Sequence, residues 1–233
     1  AVRLKNLSDP DWLDFTLPSP WTCLVTDDGS DCTSHLVQTL NTKGWQVVVL
    51  RFPTSIVPDR APLEDGIASV ELKEMSEAHL QDQLAAIATT YGPIGSFIHL
   101  HPRLALNQGS DITDLEGDKA LVKQVFLLAK HLKSSLNQFD GEGRSCFLTT
   151  ARLDGTFGFS QQSTFSPISA GLFGLTKSLN QEWPKVFCRV IDLAPELKAE
   201  QSVQAILAEM HDPNLDILEV AYGPQGRTTL VSD

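Results

Sequence analysis

Three aspartates crowd one turn of this chain: Asp27, Asp28 and Asp31 lie in LVTDDGSDCTSHL (24–36), with Gly29 among them. A turn leading from an apolar strand into a helix can cradle a pyrophosphate. Glycines let backbone amides approach the ligand, and the helix N-terminus favours its negative charge. Here Gly29 is the only glycine, and carboxylates take the neighbouring places. A carboxylate ~4 Å from a phosphate costs about 1 kcal/mol in water and about 4 kcal/mol at an effective dielectric of 20. Three of them offset what a helix terminus contributes, so these acids are expected to cap the helix rather than bind a cofactor. Arg51, just beyond the second apolar run, stands where a reader of an NADP 2′-phosphate often lies. A surface arginine at a strand end is the plainer reading.

Other reactive side chains form no complete set. His99 and His101 lie two apart on one strand, so they point the same way. A metal site would need further ligands, so a core or cleft histidine pair is expected and no metal. There is no HExxH among the histidines and no GxSxG elbow. Tyr91 and Tyr222 are the only tyrosines, and neither has a lysine four residues on. Cys23, Cys32, Cys146 and Cys188 show no CxxC pairing. Cys23, Cys146 and Cys188 sit inside apolar runs, where small buried thiols are expected, and a reducing cytoplasm fits them.

The elements that must position these groups alternate along the chain. WTCLVT (21–26), WQVVVLRF (45–52), SFIHL (96–100), SCFLTT (145–150), VFCRVIDL (186–193) and ILEVAY (217–222) read as strands. Their nearly continuous apolar character suits parallel strands covered on both faces. Helical spacing marks 33–43, 77–90, 118–136, 168–183 and 199–210; in the third, Leu121, Val122, Val125, Leu128, Ala129 and Leu132 share a face. Gly44 and Gly92-Pro93 supply stops. Such alternation predicts an α/β, Rossmann-like, doubly wound parallel sheet. Residues 1–20, with three prolines, read as an extended arm before a single domain over 21–233, and 223–233 as a turn and final strand.

Composition sets the outer limits. The chain has 233 residues, 42% of them hydrophobic and 20% charged, with a formal charge of −11. That is a globular profile with enough length for one large core. The acidic balance argues against nucleic acid as a partner. No apolar run reaches the ~20 residues of a bilayer span, and the first residues do not read as a signal peptide, so no membrane association is expected.

One stretch carries ancestry. FSPISAGLFGLTKSLNQEWPKVFCRVIDLAP (165–195) resembles the helix and following strand of short-chain dehydrogenases. More closely, it is similar to the ketoreductase regions of type I polyketide synthases and of polyketide-type polyunsaturated fatty-acid synthases. In that family a Tyr-x-x-x-Lys pair precedes a GLT[KR]SLxxE stretch, which here begins at Gly174. Counting back implies Phe165 at the tyrosine position and Ser169 at the lysine position. The family's serine falls near Arg152 in TTARLDGTFGF (149–159), with Thr149 and Thr150 as weak hydroxyl candidates. In the family tyrosine gives the proton, lysine lowers its pKa and serine steadies the oxyanion. The resemblance therefore implies a degenerate site.

Modular ketoreductases resemble two successive dehydrogenase-like halves, a cofactor-free structural one and an NADPH-binding catalytic one. The Thr-Asp-Asp-Gly turn at 26–29, GPIGSFIHL (92–100), FLLAKHL (126–132), RLDG (152–155) and EVAYGPQGRTTL (219–230) are similar to the structural half. The resemblance implies that this chain binds no cofactor and packs on an NADPH-dependent β-ketoacyl reductase half. Its other neighbours would be synthase domains, with acyl carrier protein an indirect partner. The arm (Val2 to Leu7) and the terminal strand (Thr228 to Val231) are the expected contacts, each adding to a neighbour's sheet edge. Two alternatives stay open: a docking or dimer-forming pseudo-reductase within a synthase, and a divergent NAD(P)-dependent reductase with a new proton donor.

Overall fold

Every apolar run that reads as a strand is one in the computed structural model, which describes residues 1–102, 116–160 and 166–232. In chain order the elements are β1 (Val2–Asn6), β2 (Thr22–Thr26), α1 (Asp31–Thr42), β3 (Gln46–Arg51), β4 (Ser69–Glu71), α2 (Glu77–Tyr91) and β5 (Ile94–His99). They continue with α3 (Glu116–Asn137), β6 (Ser145–Ala151), α4 (Gly171–Glu182), β7 (Val186–Leu193), α5 (Ala199–His211), β8 (Glu219–Gly223) and β9 (Gly226–Ser232). A 3-10 turn, Pro167–Ala170, opens α4.

One nine-stranded sheet runs β1-β9-β8-β7-β6-β5-β2-β3-β4. From β4 to β8 every pairing is parallel, whereas β9 joins β8, and β1 joins β9, antiparallel. The strand order reverses between β2 and β5, the switch point at whose carboxyl ends such sheets form their crevice. Helices cover both faces. Leu24, Phe97 and Phe147 face one core with Leu80, Leu121, Leu128 and Leu172 from α2, α3 and α4. Cys23, Val25 and Ile191 face the other with Leu36, Leu40, Ile206 and Met210 from α1 and α5. Strands buried on both faces explain their unbroken apolar sequences.

The amino-terminal arm departs from expectation. Val2–Asn6 and Thr228–Ser232 do not each wait for a neighbouring sheet; they pair with one another, Leu4 opposite Leu230. The arm is held further by stacking of Trp12 on His211, with ring centroids 4.0 Å apart. Reciprocal bonds reinforce it: Leu13 N donates to His211 O (2.7 Å), and His211 Nδ1 lies 2.8 Å from Leu13 O. β4 also escaped the sequence pattern, being a three-residue edge strand without an apolar run.

Candidate functional site

The crevice turn between β2 and α1 is a closed net of charges. Asp27 Oδ1 accepts from Gly29 N (2.9 Å) and Thr33 Oγ1 (3.0 Å), while Oδ2 accepts from Arg51 Nε (2.8 Å). Asp28 accepts from Ser30 N (3.0 Å), Ser30 Oγ (2.8 Å) and Arg152 Nη2 (3.1 Å), and shares with Asp27 the one hydroxyl proton of Thr33, whose Oγ1 lies 2.9 Å away. Ser30 caps α1, its Oγ accepting from Cys32 N (3.2 Å). Asp31 is exposed in the first helical turn, where the helix dipole favours it. The amides a pyrophosphate would need are thus already engaged by the protein's own oxygens.

The roof of the turn is equally full. Gly29 has φ +78°, and a Cβ there would meet Asp59 O at 2.9 Å and Val57 Cγ1 at 3.0 Å. Ala61 N donates to Gly29 O (2.9 Å), fastening the β3–β4 connection over it. Arg51 gives its remaining reach to Ala61 O (3.3 Å), so its guanidinium is engaged within the turn rather than offered outward. Dinucleotide phosphates do not fit these residues: carboxylates stand where charge would have to be neutralised, and backbone stands where it would have to be admitted.

Beside the turn runs a buried polar chain. Thr26 Oγ1 lies 2.9 Å from His99 Nδ1, His99 Nε2 lies 3.2 Å from His101 Nδ1, and His101 Nε2 lies 3.6 Å from Asp118 Oδ1. Burial, with the neighbouring His101, pushes His99 well below the ordinary histidine range, so it is neutral. Burial raises Asp118, but bonds from His101 and Ser166 outweigh that and leave its carboxyl below the usual value. Among the described residues no three His, Cys, Asp or Glu side chains converge as a metal-ligand set. The four cysteines are free and buried; burial pushes the Cys146 and Cys188 thiols up to about 12 and Cys23 higher still.

Of the positions that the resemblance assigns to catalytic groups, the described ones are bonded into the fold. Phe165 lies outside the described residues. Ser169 is buried in the 3-10 turn, its Oγ donating to Ser166 O (3.0 Å). Arg152 is buried and turned to Asp28. Thr149 Oγ1 pairs with Thr176 Oγ1 (2.9 Å), and Thr150 Oγ1 accepts from His101 N (3.0 Å). Tyr222 donates to Glu209 Oε1 (2.7 Å), and burial beside that carboxylate pushes its phenol above the ordinary range.

Two acids that sequence reasoning passed over shape the loop after β6. Asp192 accepts from Leu153 N and Phe157 N (both 2.8 Å), and burial lifts its carboxyl to about 6. Burial also opposes the charge on Asp154, but the N–H groups of Gly158 and Ser160 hold it at about 2. Gly155, with φ +68°, lets this loop approach β8; a Cβ there would sit 2.4 Å from Tyr222 O. A lone acid inside the apolar run VFCRVIDL was the available signal for Asp192.

Strand order, switch point and helix placement define a short-chain dehydrogenase/reductase fold. A doubly substituted short-chain dehydrogenase/reductase from Serratia marcescens superposes with a TM-score of 0.59 at 14% identity, over 83% of this chain and 90% of that one. For a Brucella melitensis short-chain dehydrogenase/reductase the values are 0.62 and 13%, over 87% of this chain and 92% of that one. A structure with adenylation, ketoreductase and pseudo Asub domains of a keto acid-selecting NRPS module gives 0.68 at 11%, over 98% of this chain and 18% of that one. In sequence, the chain is 29% identical over 236 residues to a polyunsaturated fatty acid synthase subunit of Thraustochytrium sp., and the match covers 98% of the chain. It spans about 8% of that relative's length. No family model matches. The chain thus has the fold of short-chain dehydrogenases/reductases and is similar in sequence to a small part of a large fatty-acid synthase subunit.

Proposed function

We propose that this chain is the non-catalytic structural half of a synthase ketoreductase. It binds no dinucleotide itself and packs on an NADPH-dependent half that reduces β-ketoacyl groups presented by acyl carrier protein. The observation that carries this reading is the turn at 27–30. Its amides bond to Asp27 and Asp28, and those carboxylates are tied in turn by Arg51 and Arg152. An enzyme that must admit a pyrophosphate keeps that place open. The degenerate positions at Ser169 and Arg152 support the same reading, each side chain being bonded inward.

The surface for the catalytic half is the β1 edge of the sheet. β1 is largely exposed, stands last in the strand order, and carries Val2 at 55% exposure. An edge strand of this kind accepts a further strand or a covering domain. Co-expression with the catalytic half of the same synthase should give a stable complex that oxidises NADPH with a β-ketoacyl substrate. Titration of the chain alone with NADPH, followed by nucleotide fluorescence up to about 1 mM, should show no saturable binding. Saturable binding, or reduction of a model ketone by the chain unaided, would overturn the proposal. A failure to co-purify, with the chain self-associating on sizing, would favour the docking pseudo-reductase.

A further inference from the structure

The outer face of α3 is a basic ridge on an acidic molecule. Lys119–Asn137 contains four lysines and no carboxylate, in a chain of formal charge −11. Lys119, Lys123, Phe126, Lys130 and Lys133 are all exposed. Steps of four, three, four and three residues put them in a single stripe, about 21 Å long at 1.5 Å per residue. Phe126 stands at its centre and is 55% exposed. Below the lysines the ridge borders a shallow trough lined by Lys130, His131, Lys133, Ser134, Asn137 and Gln138.

Among the described residues little neutralises this face. Lys119 pairs with Glu116 and Lys130 with Glu77, each at 2.7 Å, and all four side chains are largely exposed, where ion pairs hold weakly. Among the described residues Lys123 and Lys133 have no ion-pair partner. The opposite face of the helix is fully used, with Leu121, Val125, Leu128 and Leu132 in the core. The stripe is therefore not needed for folding, and nothing in the packing of α3 calls for four lysines around an aromatic ring.

From this juxtaposition we infer that the α3 ridge docks an acidic protein surface carrying an apolar hollow for Phe126, on another domain or protein. Charge complementarity selects that occupant. A second copy meeting this face symmetrically would set four lysines against four. Nucleic acid or an anionic bilayer reaches beyond the ridge, where the rest of a chain of formal charge −11 repels it. An acidic protein face of similar length meets only the stripe. Phe126 then supplies the desolvated anchor, and the lysines supply steering and register. The inference is independent of whether the chain serves a reductase.

The test is photocrosslinking in the protein as it occurs in its cell, with benzoylphenylalanine replacing Phe126. A control carries it at Leu215, 65% exposed and outside α3. Crosslinked peptides are identified by mass spectrometry, and the domain they come from is purified and its affinity measured. The expected result is a crosslink specific to position 126 that maps to an acidic segment of another domain or protein. Binding should weaken at least tenfold with Lys123→Glu/Lys133→Glu, and again between about 50 and about 300 mM salt. Phe126→Ser should weaken it without changing the salt slope. Both variants should melt like the parent, since the altered side chains are exposed. A crosslink to a second copy, to nucleic acid or lipid, or to a neutral or basic surface would overturn the inference. So would yields no higher than the control, or affinity indifferent to the lysine substitutions.

Discussion

Arg152 and Asp28 decide most of what this site does at the scale of single residues. Both side chains are almost wholly buried, at 6% and 0% exposure. A charge left alone there is far more costly than the pair is favourable, so Arg152→Ala should destabilise the fold by about 3–5 kcal/mol in urea unfolding. Adding Asp28→Asn should recover much of that loss. A single variant no worse than an ordinary surface change would mean that the pair is solvated. Nothing local in the sequence announces this contact, because its partners are 124 positions apart. The acids of the turn read as the caps of α1, but the cap is Ser30; Asp27 and Asp28 instead hold the amides of Gly29 and Ser30 ahead of the helix, because the serine already reaches the Cys32 amide. Asp192 yields a prediction in pH. Its carboxyl is raised from 3.8 to about 6 by burial, so its contribution is full below the ordinary value and is lost as pH rises through about 6. The loss is on the order of 2–3 kcal/mol. Asp192→Asn, measured by thermal melting across pH 4–7, should flatten that part of the profile.

At the scale of elements, visibility in the sequence followed coverage. β2, β3 and β5 to β8 are flanked by helices or neighbouring strands and read as apolar runs, whereas β1 and β4 are edge strands whose mixed side chains carry no such signal. Whether an exposed segment pairs depends on what lies beside it, and that is information from the far end of the chain. β1 is held by register with β9 and by Arg227, whose Nη1 donates to Ser8 O (2.9 Å) and whose carbonyl accepts from Leu7 N (2.9 Å). Removing residues 1–8 should therefore unmask β9 without dissolving the sheet interior. Hydrogen exchange should show protection lost at Thr228–Ser232 and kept at β5, β6 and β7, with more aggregation on concentration. Equal loss throughout would make the arm part of the folding core rather than a trim on its edge.

For the whole molecule, one buried carboxylate closes the chain on itself. Glu209 of α5 accepts from Arg189 of β7, from Tyr222 of β8 (2.7 Å) and from Arg227 Nε of β9 (2.6 Å). Asp212 accepts from Arg227 Nη2 (2.6 Å) and sits 3.3 Å from Arg189 Nη1. Two guanidinium groups and two carboxylates balance, and through Ser8 the same arginine reaches the beginning of the chain. The parallel sheet needed α5 only as a cover. The antiparallel extension needs it as the counter-charge that lets β9 and the arm lie against β8. Glu209→Gln leaves an excess positive charge in a dry site and should cost about 3–5 kcal/mol, lowering the urea midpoint without changing its slope. Glu209→Gln/Arg227→Gln restores the balance, and its loss should fall well short of the sum of the two single variants, the signature of direct coupling. Simple additivity would show that the two ends are joined by the strand pairing alone, and that the buried charges merely tolerate one another.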